Sequence, residues 1–556
     1  MAGAWPVAGW WVAGRGAGCL LTWSAMAAAD DLAVDETAPE DASPAAEETA
    51  AAHRDVGVRR EIVLVVAVVG LAVRLLILLT PLGRADADEV LSGLLARNVA
   101  TDWYPPFLWG QHYGGTVELA PVILSMKLFG PSVLAMRIPN VFLAAINCVL
   151  VWRIGRRFLP ERSAQIAGLL MWLGPANAVW FGLREQLFYP PTVTLGLGFT
   201  IFAFRIRERA RLVDFALFGL FFGVAFWTSP NLGYYAVPAA FVLLWDRNIV
   251  ARLPRLALGA LVALPAAVVG ALPWIHDYIR YDGLPLRAGG TFAPTGTYAS
   301  RFANFFTEAL PGALGFRATF THDWILGALG VIAYLVVLGV LAVALGRALR
   351  RANWDGIGFT FFPFFFASIP WVIDDPNLRY TFFVIPFVAV LLGRMITTTR
   401  VAVIAMVLTV LMTGIGLQRM WTISEVDRTQ YRIGNVGELG AAIEVLDANR
   451  IDAVFGDYWV AYRIDFETDE RIIASPSWGI DRYERYTRTV RASPRSAWVV
   501  SAGEQDAALQ AALVQMGVGA QVIPAGEVVV VIPDRPVMPE QLPEGARRPL
   551  SGSPRS

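Results

Sequence analysis

The chain has little charge of either sign, few cysteines and histidines, and almost no lysine. Lys127 is its only lysine, 556 residues contain 2 cysteines and 4 histidines, and charged residues make up 17%. A soluble chain carries roughly 25% charge. That shortfall excludes a water-soluble multidomain enzyme. A hydrophobic content of 56% and a mean hydropathy of +0.50 exclude a disordered protein. Lys+Arg and Asp+Glu are both 46, so no net positive charge is available to hold nucleic acid. Cys19 lies in an N-terminal stretch and Cys148 in an apolar run; two such thiols make neither a disulfide framework nor a thiolate metal site. Because nearly every basic residue is arginine, the choice of arginine at one position is weak evidence of function there.

What the chain has instead is a succession of long apolar runs, and excess apolar surface of this kind faces lipid. The expected fold class is a polytopic α-helical membrane protein of about 11 transmembrane helices, each run matched to a hydrocarbon core of roughly 30 Å. The runs are 61–82, 133–155, 163–181, 189–206, 213–229, 232–246, 254–275, 324–346, 357–374, 379–396 and 400–418. Arg54, Arg59 and Arg60 precede the first run, and alternate loops are arginine-rich: Arg153 to Arg162, Arg205 to Arg211, Arg247 to Arg255, Arg347 to Arg351, and Arg394 with Arg400. The positive-inside rule makes those loops cytoplasmic, which puts the N-terminus inside and the C-terminus outside.

Residues 1–58 read as a disordered extension: the first part lacks the order of a secretory signal, and Asp30 to His53 is acidic and Ala/Pro-rich. Residues 59–420 form the membrane domain, with long outer loops at 83–131 and 276–323. In the first loop Val90, Leu91, Leu94, Leu95 and Val99 recur at helical spacing, as in a helix lying in the membrane interface. In the second, Phe302, Phe305, Phe306 and Leu310 form a similar stripe, which reads as a lid on the membrane surface. Residues 421–535 read as a small extracytoplasmic α/β domain. Its strands are expected at Ala453–Phe455, Arg471–Ala474, Ala497–Val500 and Val528–Ile532, with helices near Ala441–Leu446 and Asp506–Met516. The tail 536–556 is Pro/Arg/Ser-rich and expected to be loose.

The cytoplasmic loops are short and contain no phosphate-cradling glycine loop, which argues against a nucleotide site. Candidate chemistry gathers in the outer loops. Asp86, Asp88 and Glu89 follow the first run. A carboxylate there can take a proton from a hydroxyl nucleophile. Equally, Asp86 with Glu89 fits a capping box, leaving Asp88 as a first-turn acid. Trp109-Gly-Gln111-His112-Tyr113-Gly-Gly-Thr-Val-Glu118 puts aromatic faces and polar edges before an apolar stretch; it suits sugar hydroxyls or, alternatively, an interfacial aromatic belt. Glu118 borders apolar sequence, where a charge without a partner is costly. Arg184 could bind a phosphate or a carboxylate, or pair with the adjacent Glu185. Asp374-Asp375-Pro-Asn-Leu-Arg379-Tyr380 offers an arginine at the outer end of a run, for a lipid phosphate or for snorkelling to headgroups. Arg74, inside the first run, reads as a structural partner. No metal-ligand spacing demands a divalent ion, although His112 and the acids could hold one.

In order along the chain stand Asp88-Glu89, Trp109 to Glu118, Phe129-Gly-Pro-Ser132, Tyr189-Pro-Pro191, Phe226-Trp-Thr-Ser-Pro230 and Arg379-Tyr380 with Pro386. Together they resemble the GT-C superfamily of integral-membrane glycosyltransferases, in particular its bacterial protein O-mannosyltransferase and aminoarabinose-transferase type. Asp457-Tyr-Trp-Val-Ala-Tyr462 and Arg471-Ile-Ile-Ala-Ser-Pro476 resemble the soluble domain of bacterial members, so the likeness spans roughly residues 60–500. Members often carry His where this chain has Ser229.

The resemblance implies a protein of the bacterial cytoplasmic membrane that moves a sugar, with inversion, from a polyprenyl-phosphate donor to a glycan, lipid or protein acceptor on the outer face. It implies Asp88 as general base within a catalytic Asp88-Glu89 pair, with Asp86 competing for the role. Arg379 or Arg184 would sit by the phosphate, and Glu118 would orient donor or acceptor. Gln111, His112, Tyr113, Glu185, Asp375 and Tyr380 complete the expected binding set, without a cofactor and without nucleic acid. The rival classes are a lipid-linked saccharide flippase or transporter, for which charges through the span midplane and broken helices would be expected, and a non-catalytic membrane assembly protein.

Overall fold

A computed structural model of the protein describes residues 57–99, 104–245, 249–285, 297–318, 321–367, 381–426 and 438–546, the side chains of 362–367 and 423–426 excepted. The chain starts with α1 (Arg60–Leu78), a 3₁₀ turn at Pro81–Gly83, and α2 (Ala87–Asn98). It continues through α3 (Leu119–Phe129), α4 (Val133–Gly155), α5 (Glu161–Leu173), α6 (Ala176–Leu183) and α7 (Tyr189–Arg209). Next come α8 (Leu212–Thr228), α9 (Gly233–Leu244), α10 (Ile249–Gly270), α11 (Leu272–Arg280), α12 (Tyr298–Asn304) and α13 (Leu310–Ala313). The helical part closes with α14 (Ala328–Arg350), α15 (Trp354–Ala367), α16 (Ile385–Met395) and α17 (Thr399–Val426).

Among the described residues five helices, α1, α4, α10, α14 and α17, are long and apolar enough to cross a membrane. Their outward faces carry the residues that lipid would cover: Leu64, Val65 and Val68 of α1, Leu258, Leu261 and Leu264 of α10, and Leu329, Leu335 and Val336 of α14 are all exposed. The run expected as one span at 163–181 is instead two helices, α5 and α6, bent by 68°. Gly174, at a φ of +51°, and Pro175 lie at the break: glycine admits the turn, and proline starts the second helix without needing an amide donor. Tyr234, Tyr235, Phe199, Phe383 and Phe387 fill the bundle core.

The long loops are folded onto the protein. The apolar stripe of α2 does not lie against a membrane surface. Leu91, Leu94 and Leu95 are buried with Met136 of α4 and with Tyr462, Phe466 and Tyr486 of the C-terminal domain. Phe305 and Leu310, in and just after a π-helical turn at Phe305–Ala309, belong to the bundle core, while Phe302 remains partly exposed.

The C-terminal part comprises α18 (Gly440–Ala448), β1 (Ala453–Gly456), α19 (Tyr458–Glu467), β2 (Ile473–Pro476), α20 (Glu484–Ala492), β3 (Ala497–Ser501), α21 (Glu504–Gln515), β4 (Ala520–Ala525) and β5 (Val528–Pro533). The sheet order is β2-β1-β3-β5-β4, with β2, β1 and β3 parallel and β5 antiparallel to both neighbours. Alternate residues bury opposite faces. Val454, Val499 and Val530 pack with α18 and α19, whereas Phe455, Trp498 and Val531 pack with α20 and α21.

Candidate active site

The first turn of α2 lies where the helical bundle meets the α/β domain, and its three acids face different partners. Asp86 is the N-cap, accepting from the Glu89 amide at 3.0 Å. Glu89 does not complete a capping box. It turns into the bundle, where Arg137 of α4 donates to both its oxygens, Nε to Oε1 and Nη2 to Oε2, each at 2.6 Å. Arg137 also donates to the Gly83 carbonyl at 2.8 Å, and the pair is fully buried. Arg184, between α6 and α7, pairs with Asp86 at 2.5 Å and lies 3.5 Å from Glu89, not with its neighbour Glu185. Burial alone would pull the Arg184 guanidinium down, but Asp86 and Glu89 outweigh it and hold it above its ordinary value. Two acids and two arginines thus form a neutral buried quartet that fixes the start of α2.

Asp88 faces the other way. Tyr458 of α19 donates its hydroxyl to Asp88 Oδ1 at 2.6 Å. Arg482, in the β2–α20 loop, donates through Nε to the Tyr458 oxygen at 3.3 Å and through Nη1 to Gln111 Oε1 at 3.0 Å.

Next to the quartet lies a second carboxyl pair. The Glu185 amide donates to Glu89 Oε1 at 2.9 Å, and the Glu185 carboxyl accepts from the Leu187 amide at 2.9 Å and from Asn140 Nδ2 at 3.1 Å. Glu118, at the N-cap of α3, is buried against Glu185, and its oxygens meet no ordinary donor among the described residues. Burial pushes Glu118 up to about 8. Burial, and then Glu118 itself, push Glu185 well above the carboxylate range. Burial thus disfavours a charge on either carboxyl.

The structure therefore brings Asp86, Asp88, Glu89, Glu118, Arg184 and Glu185 together, with Gln111 joined through Arg482. It does not bring in His112, whose Nδ1 contacts Asp277 of α11 at 2.8 Å; Tyr113 is exposed, offers Gln111 its carbonyl, and lies within electrostatic range of Arg482. The Trp109 ring is stacked on Tyr483 at 3.9 Å, so that face is covered by the C-terminal domain. Asp375, Arg379 and Tyr380 lie outside the described residues. Among the described residues no three of His, Cys, Asp and Glu converge as metal ligands.

Arg74 serves as a structural partner, donating to the Gly70 and Trp172 carbonyls at 2.9 and 3.1 Å with its guanidinium over the Trp172 ring. It also lines a cavity of about 30 Å³ beside Asn147, Gly182 and Phe382, a space for a water or two to which neither Asp88 nor Glu118 contributes. The sequence reading missed Arg137, Asn140, Tyr458 and Arg482. Arg137 had a signal: a lone arginine inside an apolar run needs a buried anion.

Residues 122–274 match the family model for dolichyl-phosphate-mannose-protein mannosyltransferase. The fold is similar to that of ArnT from Cupriavidus metallidurans in the apo state, with a TM-score of 0.55, covering 85% of this chain and 98% of that one at 14% identity. The chain has an ArnT-like fold, and one segment of it is similar to the mannosyltransferase family. The same ArnT bound to undecaprenyl phosphate matches with a TM-score of 0.53, over 86% of this chain and 98% of that one, again at 14% identity. No curated protein matches the sequence. The likeness to ArnT is one of fold; the quartet and the Asp88–Tyr458 contact are read from this chain's own side chains.

Proposed function

We propose that this protein, as a GT-C glycosyltransferase, transfers a sugar from a polyprenyl-phosphate donor to an acceptor hydroxyl on the outer membrane face, with inversion at the anomeric carbon. Asp88 takes the hydroxyl proton as the oxygen attacks. The bond between the anomeric carbon and the phosphate oxygen breaks, and the lipid phosphate leaves with its electron pair. A phosphate is a good leaving group, so no strong general acid is needed. Glu89 and Asp86 anchor α2 through Arg137 and Arg184 and do not act as bases. Glu118 and Glu185, both of which burial biases toward the protonated form, supply neutral hydrogen-bonding groups for orienting a sugar hydroxyl. Arg379 is the cation assigned to the departing phosphate, because Arg184 is already neutralised by Asp86 and Glu89.

The observation that carries this reading is the position of Asp88 at the junction of bundle and α/β domain, turned away from the buried quartet. A polyprenyl-phosphate donor is supported by the similar fold of ArnT bound to undecaprenyl phosphate. The test is purified protein in proteoliposomes with a panel of radiolabelled undecaprenyl-phosphate sugars, scored for release of label from the lipid. Wild type should release label from at least one donor, and Asp88→Asn should lower that rate by at least about 100-fold, the scale of a lost general base. An undiminished rate in Asp88→Asn overturns the mechanism. Movement of labelled lipid across the bilayer without bond cleavage identifies a transporter instead.

A further inference from the structure

The contact between Asp88 and the C-terminal domain is a built one. Tyr458 opens α19, and its backbone is fixed by the preceding N-cap: Asp457 accepts from the Trp459 and Val460 amides at 2.8 and 2.9 Å. The Tyr458 ring is edge-on to Trp459 and Tyr462, with centroids at 5.1 and 5.3 Å. Its hydroxyl has one proton to donate and lone pairs to accept with; it gives the proton to Asp88 and accepts from Arg482. Arg482 is held in turn, its amide donating to the Tyr462 hydroxyl at 2.7 Å and its guanidinium reaching Gln111 in the α2–α3 loop. The far end of α2 is fastened to the same domain. Arg97 donates to the Phe466 carbonyl at 3.0 Å and pairs with Asp469 at 2.8 Å, while Asn98 donates to Glu470 at 3.0 Å.

Resting on the function proposed above, we infer that Tyr458 is a positioning residue for Asp88: held by Arg482, its hydroxyl fixes the orientation in which the Asp88 carboxylate meets the acceptor hydroxyl. The C-terminal domain thereby forms part of the catalytic apparatus. A phenol whose oxygen accepts from a guanidinium is the stronger donor, and a donor to a carboxylate favours its ionised, proton-accepting form. Burial, first, and the nearby Asp88 charge push the Tyr458 hydroxyl above its ordinary range, so it keeps its proton and stays a donor around neutral pH. Among the described residues, the charged and titratable groups around Asp88 include Asp86 and Glu89 on its own helix, Arg184 from the α6–α7 turn, and Tyr458 and Arg482 from the C-terminal domain.

The experiment uses full-length protein in proteoliposomes and the radiolabelled undecaprenyl-phosphate sugar that wild type consumes, with Asp88→Asn run in parallel. Tyr458→Phe should lower kcat about 10-fold with little change in donor KM, the loss expected of one hydrogen bond to a charged group. The acidic limb of its pH profile should move to higher pH, because Asp88 loses a donor that favoured ionisation. Arg482→Met should shift kcat and the limb in the same direction, and Arg482→Lys should restore part of both. If Tyr458→Phe fails to fold, the Arg482 pair carries the same test from one residue away. Wild-type kcat and an unmoved limb in both Tyr458→Phe and Arg482→Met, beside an inactive Asp88→Asn, overturn the positioning role and leave the proposed function standing. A faster Tyr458→Phe also overturns it, showing that the hydroxyl stands in the acceptor's place. An active Asp88→Asn removes the base itself, and this inference with it.

Discussion

Glu118 shows how far one residue's surroundings reach into measurable behaviour. Its carboxyl, buried beside Glu185, titrates at about 8 in place of the ordinary 4.5. The folded protein therefore keeps a proton that the unfolded chain releases between those values. Folding stability falls as pH rises from about 4.5 toward 8 and levels off beyond it. Glu118→Gln, neutral throughout, should melt above wild type in detergent at pH 8.5, by about 4 °C or more, with the difference shrinking toward pH 5. A difference that does not change with pH contradicts the upward shift of Glu118. From sequence, Glu118 stood out as an acid beside apolar residues, but a partner 67 positions away could not be read from spacing. The acids of α2 divide similarly. Asp86 as a cap followed from local pattern. That Glu89 faces Arg137 and Asp88 faces Tyr458 depends on which elements flank the helix, and no local rule contains that.

At the scale of elements, α2 is held between α4 and α19 with no room to spare. A Cβ at Gly93 would stand 2.4 Å from the Phe466 ring and 2.6 Å from the Met136 sulfur. Gly93→Ala should wedge this interface open at a cost of about 1–3 kcal/mol. Amides of α19 should lose protection in hydrogen exchange, while those of α7 keep theirs; unchanged exchange in α19 would show that docking does not depend on the close approach. The stripe of Val90, Leu91, Leu94 and Leu95 announced the helix correctly. It could not announce the covering surface, because α19 reads Tyr-Trp-Val-Ala-Tyr-Arg-Ile-Asp-Phe-Glu and mixes charge with apolar residues. Asp465 explains one such residue: it is buried and accepts from the Ala474 amide at 2.7 Å, tying α19 to β2. β4 escaped detection for a related reason. It is a mostly exposed edge strand containing Pro524, and proline is tolerated at an edge because no ladder donor is required there. Close packing inside the bundle was visible but unread. Gly219 and Gly223 of α8 would each put a Cβ 2.0 Å from a carbonyl oxygen of α10, the small-residue spacing that lets membrane helices touch backbone to backbone.

For the molecule as a whole, apolar composition led to a bundle because the leucines and valines left exposed on α1, α10 and α14 have no protein partner and require lipid. Which way the bundle faces rests on arginine placement alone. α7 makes the argument concrete. It is 21 residues long, so its ends are about 30 Å apart, although it is not among the five helices long and apolar enough to cross a membrane by themselves. One end adjoins Glu185 and the acidic cluster; the other carries Arg205, Arg207 and Arg209. If the arginine end is cytoplasmic, the Asp88 junction and the α/β domain lie outside, where a lipid-borne sugar can be delivered without a nucleotide. In a background with Cys19 and Cys148 replaced by Ser, Val514→Cys on the exposed face of α21 should react with a membrane-impermeant maleimide in intact cells, whereas Arg209→Cys should react only after permeabilisation. The opposite pattern would put the acidic junction in the cytoplasm. The fold would stand, but the donor would then have to be met on the cytoplasmic leaflet, and outward-facing transfer would be lost.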